Sequence, residues 1–271
     1  DTRSGSVAAC GLPGKQAGAY VVEFICDAVN SWGYTEIILR SDQEPAIKTI
    51  VDAVRTRRIR KTLVEHSPTH SHASMGYVEQ ANGAIEAQVR TITARLSEAA
   101  KVKVTSASKL LPWIIRHSGW LISRYRLLPE GKTSYFFCRH KEYNGSVVEI
   151  GEQVWLRDPS DRASQAKLDT GWFQGTWVGK VEASDEHVVI GVDGKTPWKV
   201  RAVRRMPDEQ RWSTAALEGI DAGPGSEDAG RLLDPPAALR SRRIPRPGAL
   251  SHCRARQLHA CPLDARGHTL P

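Results

Sequence analysis

"EIILRSDQE" (residues 36–44) decides how this chain folds. Ile37, Ile38 and Leu39 are a short apolar run, which reads as a buried strand. The chain turns polar at once and presents Asp42. An acid just past the carboxyl end of a core strand stands where open α/β sheets place their sites. Pro45, three residues on, suits the first turn of a helix. Asp42 therefore has a second role open to it, as a cap or turn residue.

The residues on either side extend the pattern. Upstream, "DTRSG" reads as a turn and "SVAAC" as a strand, before Gly11, Pro13 and Gly14. Residues 16–31 carry Tyr20, Val21, Phe24, Ile25, Ala28 and Val29 at helical spacing, and Gly33 is a stop signal. Downstream, a helix runs from Pro45 to about Arg58. "RKTLVEHS" is a short strand, and "SPTHSHASM" is a polar loop. From Gly76 the spacing predicts a long helix whose buried stripe is Val78, Ala81, Ile85, Val89, Ile92 and Leu96. Residues 109–126 form another apolar-faced helix, with Trp113 and Trp120. Strands alternating with helices imply an α/β layer fold.

The texture changes near Glu149. Short alternating runs split by turn residues follow, with Asp193-Gly194 as a hairpin signal. They suggest a small β-barrel over residues 149–206, with Trp155, Trp172, Trp177 and Trp198 filling or flanking its core. Residues 207–271 hold 8 of the 15 prolines and few aromatics, which is the composition of a disordered tail.

The net charge is +8. Residues 1–148 hold 20 Lys+Arg against 13 Asp+Glu, while 149–206 hold 9 against 9 and 207–271 hold 9 against 8. The surplus thus belongs to the first domain, where Arg55, Arg57, Arg58, Arg60 and Lys61 cluster. Such a domain suits a polyanion; a solubilising surface has the same composition. The five cysteines are scattered without a CxxC, which fits a reducing compartment better than a disulfide framework or a zinc knuckle. No stretch approaches the ~20 apolar residues of a membrane span.

Asp42 needs a partner to do chemistry, and Glu79 is the candidate. It opens the long helix and shares a polar face with Asn82, Gly83, Glu86 and Arg90. Taken alone, Glu79 suits a solvated face near the positive end of the helix dipole. The pair says more. An acid follows a strand, 36 residues intervene (43–78), and a second acid opens a helix in Gly76-x-x-Glu79-x-x-Asn82. This resembles the DDE integrases, in particular the copia-type and retroviral-like retrotransposon integrases. "LPWIIRHSGWLISRYRLLPEGKTSYFFCRH" is similar to the family's helix after the catalytic residues and its connector. "GEQVWLRDP…GWFQGTWVGK" is similar to the small β-barrel that follows in these polyproteins. The likeness covers residues 1–206.

The resemblance implies a ribonuclease H-like core over residues 1–148, here without its first strand, then a small SH3-like β-barrel over 149–206 and the tail. It implies DNA integration by phosphodiester strand transfer with Mg²⁺ or Mn²⁺. Asp42 and Glu79 would be the catalytic metal ligands. Asn82, Arg90, Arg55, Arg57, Arg58 and Lys61 would contact nucleic acid. DNA (element ends and target), a homo-oligomeric form and a nuclear location are carried over with it.

Hard divalent ions prefer carboxylate oxygens, and rigid elements fix such ligands better than loops do. The family's first Asp has no counterpart, since Asp1 with "TRSG" fits a hairpin turn. The chain thus reads as cut at its N-terminus, and we expect it to be inactive and poorly folded alone. Gln80, Gly83 and Glu86 stand where integrases often carry basic residues. The family's N-terminal His/Cys zinc module is missing, and His66, His70 and His72 come without cysteines. The alternatives are a non-catalytic nucleic-acid-binding relic or domesticated module, and a barrel whose Trp172 and Trp177 cage a peptide.

Overall fold

A computed structural model of the chain describes residues 1–12, 18–67, 76–157 and 172–226. Helix α1 (Ala19–Ser31) leads to strand β1 (Ile37–Ser41), α2 (Pro45–Arg57) and β2 (Thr62–His66). β1 and β2 pair in parallel, from Ile37 opposite Thr62 to Ser41 opposite His66. Alternation sends Ile37, Leu39 and Val64 towards the helices and Ile38, Arg40, Leu63 and Glu65 the other way. Val21, Val22 and Cys26 of α1 meet Ile50 and Val54 of α2 in a small core, with Leu39 packed against it.

The long helix α3 (Gly76–Ala100) forms over the expected residues. Of its six expected stripe residues, only Ile92 and Leu96 are fully buried, joined by Ala100. Val78 is exposed, and Ala81, Ile85 and Val89 are half-buried. The C-terminal half packs into the main core; the N-terminal half instead borders an open hollow lined by Val78, Ala81 and Ile85. Helix α4 (Leu111–Tyr125) is buried nearly all round, with Trp113, Ile114, His117, Trp120 and Arg124 enclosed. That burial is the signature of a helix inside a core. A short α5 (Ser134–Arg139) follows, capped by the Thr133 side chain.

"SVAAC" forms no strand. It lies against α4, held by Val7 N–H donating to Ser123 Oγ at 2.8 Å and by the Ser123 hydroxyl donating to the Val7 carbonyl. Gly119 permits this approach, since a Cβ there would come within 2.9 Å of Ala9 N.

The remaining strands are β3 (Gln153–Arg157), β4 (Trp172–Lys180), β5 (His187–Gly191), β6 (Pro197–Val200) and β7 (Val203–Arg205). They form one antiparallel sheet in the order β6-β5-β4-β3-β7. The expected barrel does not close, because β6 and β7 lie at opposite edges and do not pair. The apolar face is covered by α4 instead: Trp177 of β4 is fully buried with its ring 5.1 Å, edge-on, from that of His117. A sheet face already covered has no need to curl upon itself. The Asp193-Gly194 hairpin forms as expected, joining β5 to β6. Gly194 takes φ +70°, and a Cβ there would meet the Gly219 carbonyl.

Ordered structure does not stop at Met206. A 3₁₀ turn (Asp208–Gln210) leads to α6 (Thr214–Glu218). Leu217, Ile220 and Ala222 join the core, and Trp113 Nε1 donates to the Ala222 carbonyl at 2.8 Å. These apolar residues, few but regularly placed, override the proline-rich composition. The rest of the expected tail lies outside the described residues. One apolar cluster therefore runs from α3 and α4 through the sheet to α6. The change of texture at Glu149 separates no two cores.

Two histidines in this core carry a pH dependence. Burial holds His117 neutral, down to about 3, and burial with Lys180 nearby lowers His187 to about 4. Both lie below the ordinary value near 6.5, so the unfolded chain takes up these protons first. The stability they contribute is complete above about pH 6.5 and is lost as pH falls. The slope reaches up to about 1.4 kcal/mol per pH unit per histidine. Urea midpoints measured between pH 7 and 5, where most carboxylates stay ionised, should fall steadily. His187→Gln should reduce that slope.

Candidate functional site

Asp42 is exposed and leaves β1 at its carboxyl end. Its Oδ1 accepts from Glu44 N–H at 3.2 Å, which braces the turn into α2. The strand ends around it are knit together. Ser67 N–H donates to the Ser41 carbonyl at 2.8 Å, Gln43 Nε2 donates to the Ser67 carbonyl at 3.1 Å, and Ser41 Oγ lies 3.2 Å from His66 Nδ1. His66 is thus a strand-end partner; His70 and His72 lie outside the described residues. Glu79 is exposed in the first turn of α3 and forms no hydrogen bond or ion pair among the described residues.

The elements that carry the two acids, β1 and α3, border one cleft. This cleft of about 860 Å³ is lined by Ile37, Ile38 and Arg40 of β1 and by Tyr77 and Val78 of α3. Asp42 comes two residues after Arg40 and Glu79 one after Val78, but neither lines the cleft itself. Asn82 lines an adjoining hollow of about 840 Å³, together with Gln80, Ala81 and Ile85. Among the described residues, no three His, Cys, Asp or Glu side chains group to hold a metal ion. The carboxylate of Asp1 is engaged in its own turn. It accepts from the N–H groups of Arg3 and Ser4 at 3.1 Å each, from the Ser4 hydroxyl and from Tyr34 OH at 2.8 Å.

The basic residues divide by burial. Arg55 is exposed in the last turn of α2. Arg57 faces Glu23 at 3.8 Å, Lys61 faces Glu36 at 3.1 Å, and Arg90 faces Glu86 at 3.7 Å. Exposed pairs of this kind are worth about 0–1 kcal/mol. Arg58 is the exception and corrects the sequence reading. It is buried, and it donates to Thr62 Oγ1 at 2.7 Å and to Asn30 Oδ1 at 3.4 Å. Its charge locks α2 to β2 and does not face solvent.

Two arrangements were not read from the sequence. On the outer sheet face, Arg204 lies 4.3 Å above the Trp172 ring, and the register sets Trp155 beside Arg204 and Trp172 beside Arg157. Strand alternation carried the signal, but it shows only once the register is known. Trp177 is fully buried and cannot form a cage with Trp172. The second arrangement is buried. Arg124 Nη1 reaches both Glu182 carboxylate oxygens at 3.1 Å, with its guanidinium 4.3 Å from the Trp120 ring.

No family model matches the chain, and no curated protein matches it. Among solved structures it is similar to a chain in the cryo-EM structure of the simian T-cell lymphotropic virus intasome in complex with PP2A regulatory subunit B56 gamma. Identity is 15%, the TM-score is 0.40, and the match covers 79% of this chain and 69% of that one. The likeness is weak. No helix among the described residues is long and apolar enough to cross a membrane.

Proposed function

We propose that the chain is the catalytic core of a retrotransposon-type integrase, with a ribonuclease H-like first part and an SH3-like sheet, and that it does not transfer DNA strands on its own. One observation carries the reading. An acid, Asp42, follows the carboxyl end of a parallel strand, and a second acid, Glu79, without a partner among the described residues, lies in the first turn of a long helix that borders the same cleft as that strand. Asp42 and Glu79 would hold Mg²⁺ or Mn²⁺, which in a complete site stabilises the attacking and leaving oxygens of a phosphodiester. Two carboxylates are an incomplete set, so no catalytic step is assigned to the described residues. Arg55, Arg57, Lys61 and Arg90 would take the phosphates of element ends and target DNA. The working form would be a homo-oligomer in the nucleus.

A second reading is a non-catalytic nucleic-acid-binding module. The Arg204–Trp172 stack favours it, because a ring beside a guanidinium accepts bases irrespective of sequence.

DNA binding by fluorescence anisotropy, run beside a strand-transfer assay in Mg²⁺ and Mn²⁺, tests both readings. The first expects salt-sensitive binding, no transfer, and D42N or E79Q variants that bind DNA as the parent does but lose affinity for Mn²⁺. The second expects W172A and R204A to weaken single-strand binding about tenfold, since each stacked base is worth ~1–3 kcal/mol. Binding indifferent to salt would count against both, because phosphate contacts release counterions.

A further inference from the structure

We propose that the turn joining α2 to β2 is a wedge for the minor groove of duplex DNA, in which Ile59 enters a base step and Arg55, Arg57, Arg60 and Lys61 hold the phosphates on either side. The turn inverts the usual burial of its two central side chains. Arg58 is 6% exposed and Ile59 is 104% exposed. Arginine is almost never enclosed unless paired, and isoleucine is among the side chains most often enclosed. The enclosed guanidinium braces the turn from beneath. It donates to Thr62 Oγ1 at 2.7 Å, to Asn30 Oδ1 at 3.4 Å and to the Tyr34 carbonyl at 3.5 Å. Arg60 Nη1 donates to the same carbonyl at 3.2 Å, and Ile37 N–H donates to the Lys61 carbonyl at 3.2 Å. Isoleucine is itself stiff at χ1. The fold therefore presents a fixed apolar point, not a loose loop. None of residues 55–61 lines the cleft or the hollow beside α3.

The charges around that point identify its partner. Arg55 and Arg60 have no carboxylate partner among the described residues. Arg57 and Lys61 have the exposed pairs with Glu23 at 3.8 Å and Glu36 at 3.1 Å. Asp52 stands one helical turn before Arg55. Three of the four exposed cations are arginines, the side chain that narrow minor grooves attract. Minor-groove proteins combine such arginines with an apolar wedge, isoleucine among them, that unstacks one base step and kinks the duplex. An anionic membrane would ask for an apolar face or a second anchor, and within 55–61 Ile59 is the one large apolar side chain. The 13 residues of α2 set the turn about 20 Å from the end that carries Asp42. The wedge thus grips duplex remote from any phosphodiester held at Asp42. It rests on the nucleic-acid reading of the basic cluster and is independent of the metal site.

A short duplex with one central TA step, which kinks readily, and a fluorophore at each end tests the wedge. The 271-residue chain should bind it and raise energy transfer between the ends, and the minor-groove ligand netropsin should displace the chain. I59S should bind with the parent's salt dependence yet leave the duplex straight, while I59L should restore the bend. R55A and R60A should each lower the slope of log affinity against log salt by about 1, as the loss of one phosphate contact does. Far-UV circular dichroism should be the same for all four variants, since the altered side chains are exposed. Bending by I59S equal to the parent's, binding indifferent to netropsin, or unchanged slopes in both arginine variants would each overturn the proposal. Salt-sensitive binding that none of the variants alters would overturn it alone and leave the wider DNA reading standing. Absence of duplex binding would remove both, and capture by phosphatidylserine vesicles in its place would assign the turn to a membrane.

Discussion

Trp177→Ala should cost about 3–5 kcal/mol of stability, the range for truncating a buried aromatic, and should weaken the helices together with the sheet. Trp177 is fully buried. Its Nε1 donates to His187 Nδ1 at 3.0 Å, and its ring meets His117 of α4 edge-on. Truncation opens a cavity at the junction of helix and sheet and leaves a buried His187 nitrogen unpaired. Because one apolar cluster crosses that junction, the part of the helical circular dichroism that comes from α3 and α4 should be lost in the same transition as the tryptophan fluorescence, as in a single cooperative unit. A sheet that melts first and leaves α4 intact would show two units where the packing shows one.

Glu182→Ala should cost a comparable ~3–5 kcal/mol, because it strands a charge in the interior. The Arg124 side chain is 3% exposed, and Glu182 is the carboxylate that the described residues bring to it. The surrounding rings of Trp120, Tyr135 and Tyr143, at 4.3–5.5 Å, offset only part of the loss. The double variant R124M/E182A should recover much of it, since an apolar side chain of similar length needs no counter-charge. A denaturant double-mutant cycle separates the two effects. Additive costs would mean that the pair is not coupled.

Much of this architecture was legible because period and punctuation agreed. Pro45 and Gly33 mark helix ends, Ile37–Leu39 mark a strand, and Asp193-Gly194 marks a hairpin. Misreadings arose where the outcome depended on what lies opposite. Val78, Ala81 and Ile85 have helical spacing, yet only packing decides whether a stripe is buried, and this one faces a hollow. "SVAAC" has strand composition, but a strand needs a hydrogen-bonding neighbour, and α4 supplied side chains instead. The segment after Met206 looked like a tail by its prolines. The cap of α6 was nonetheless present in its sequence, where Ser213 Oγ accepts from Ala216 N–H at 3.2 Å. Of the site, the sequence supplied Asp42 and Glu79 as residue types at a spacing. It did not distinguish an exposed Arg55 from an Arg58 spent inside the fold, because burial is not written in local composition.

On the proposed function, Asp42 and Glu79 share one cation. Paramagnetic broadening of backbone amide NMR signals by substoichiometric Mn²⁺ tests this directly. The signals around 41–44 and 77–82 should be lost together from a single site, and either D42N or E79Q should abolish the loss. Broadening of one segment without the other, or persistence of both effects in either variant, would contradict it.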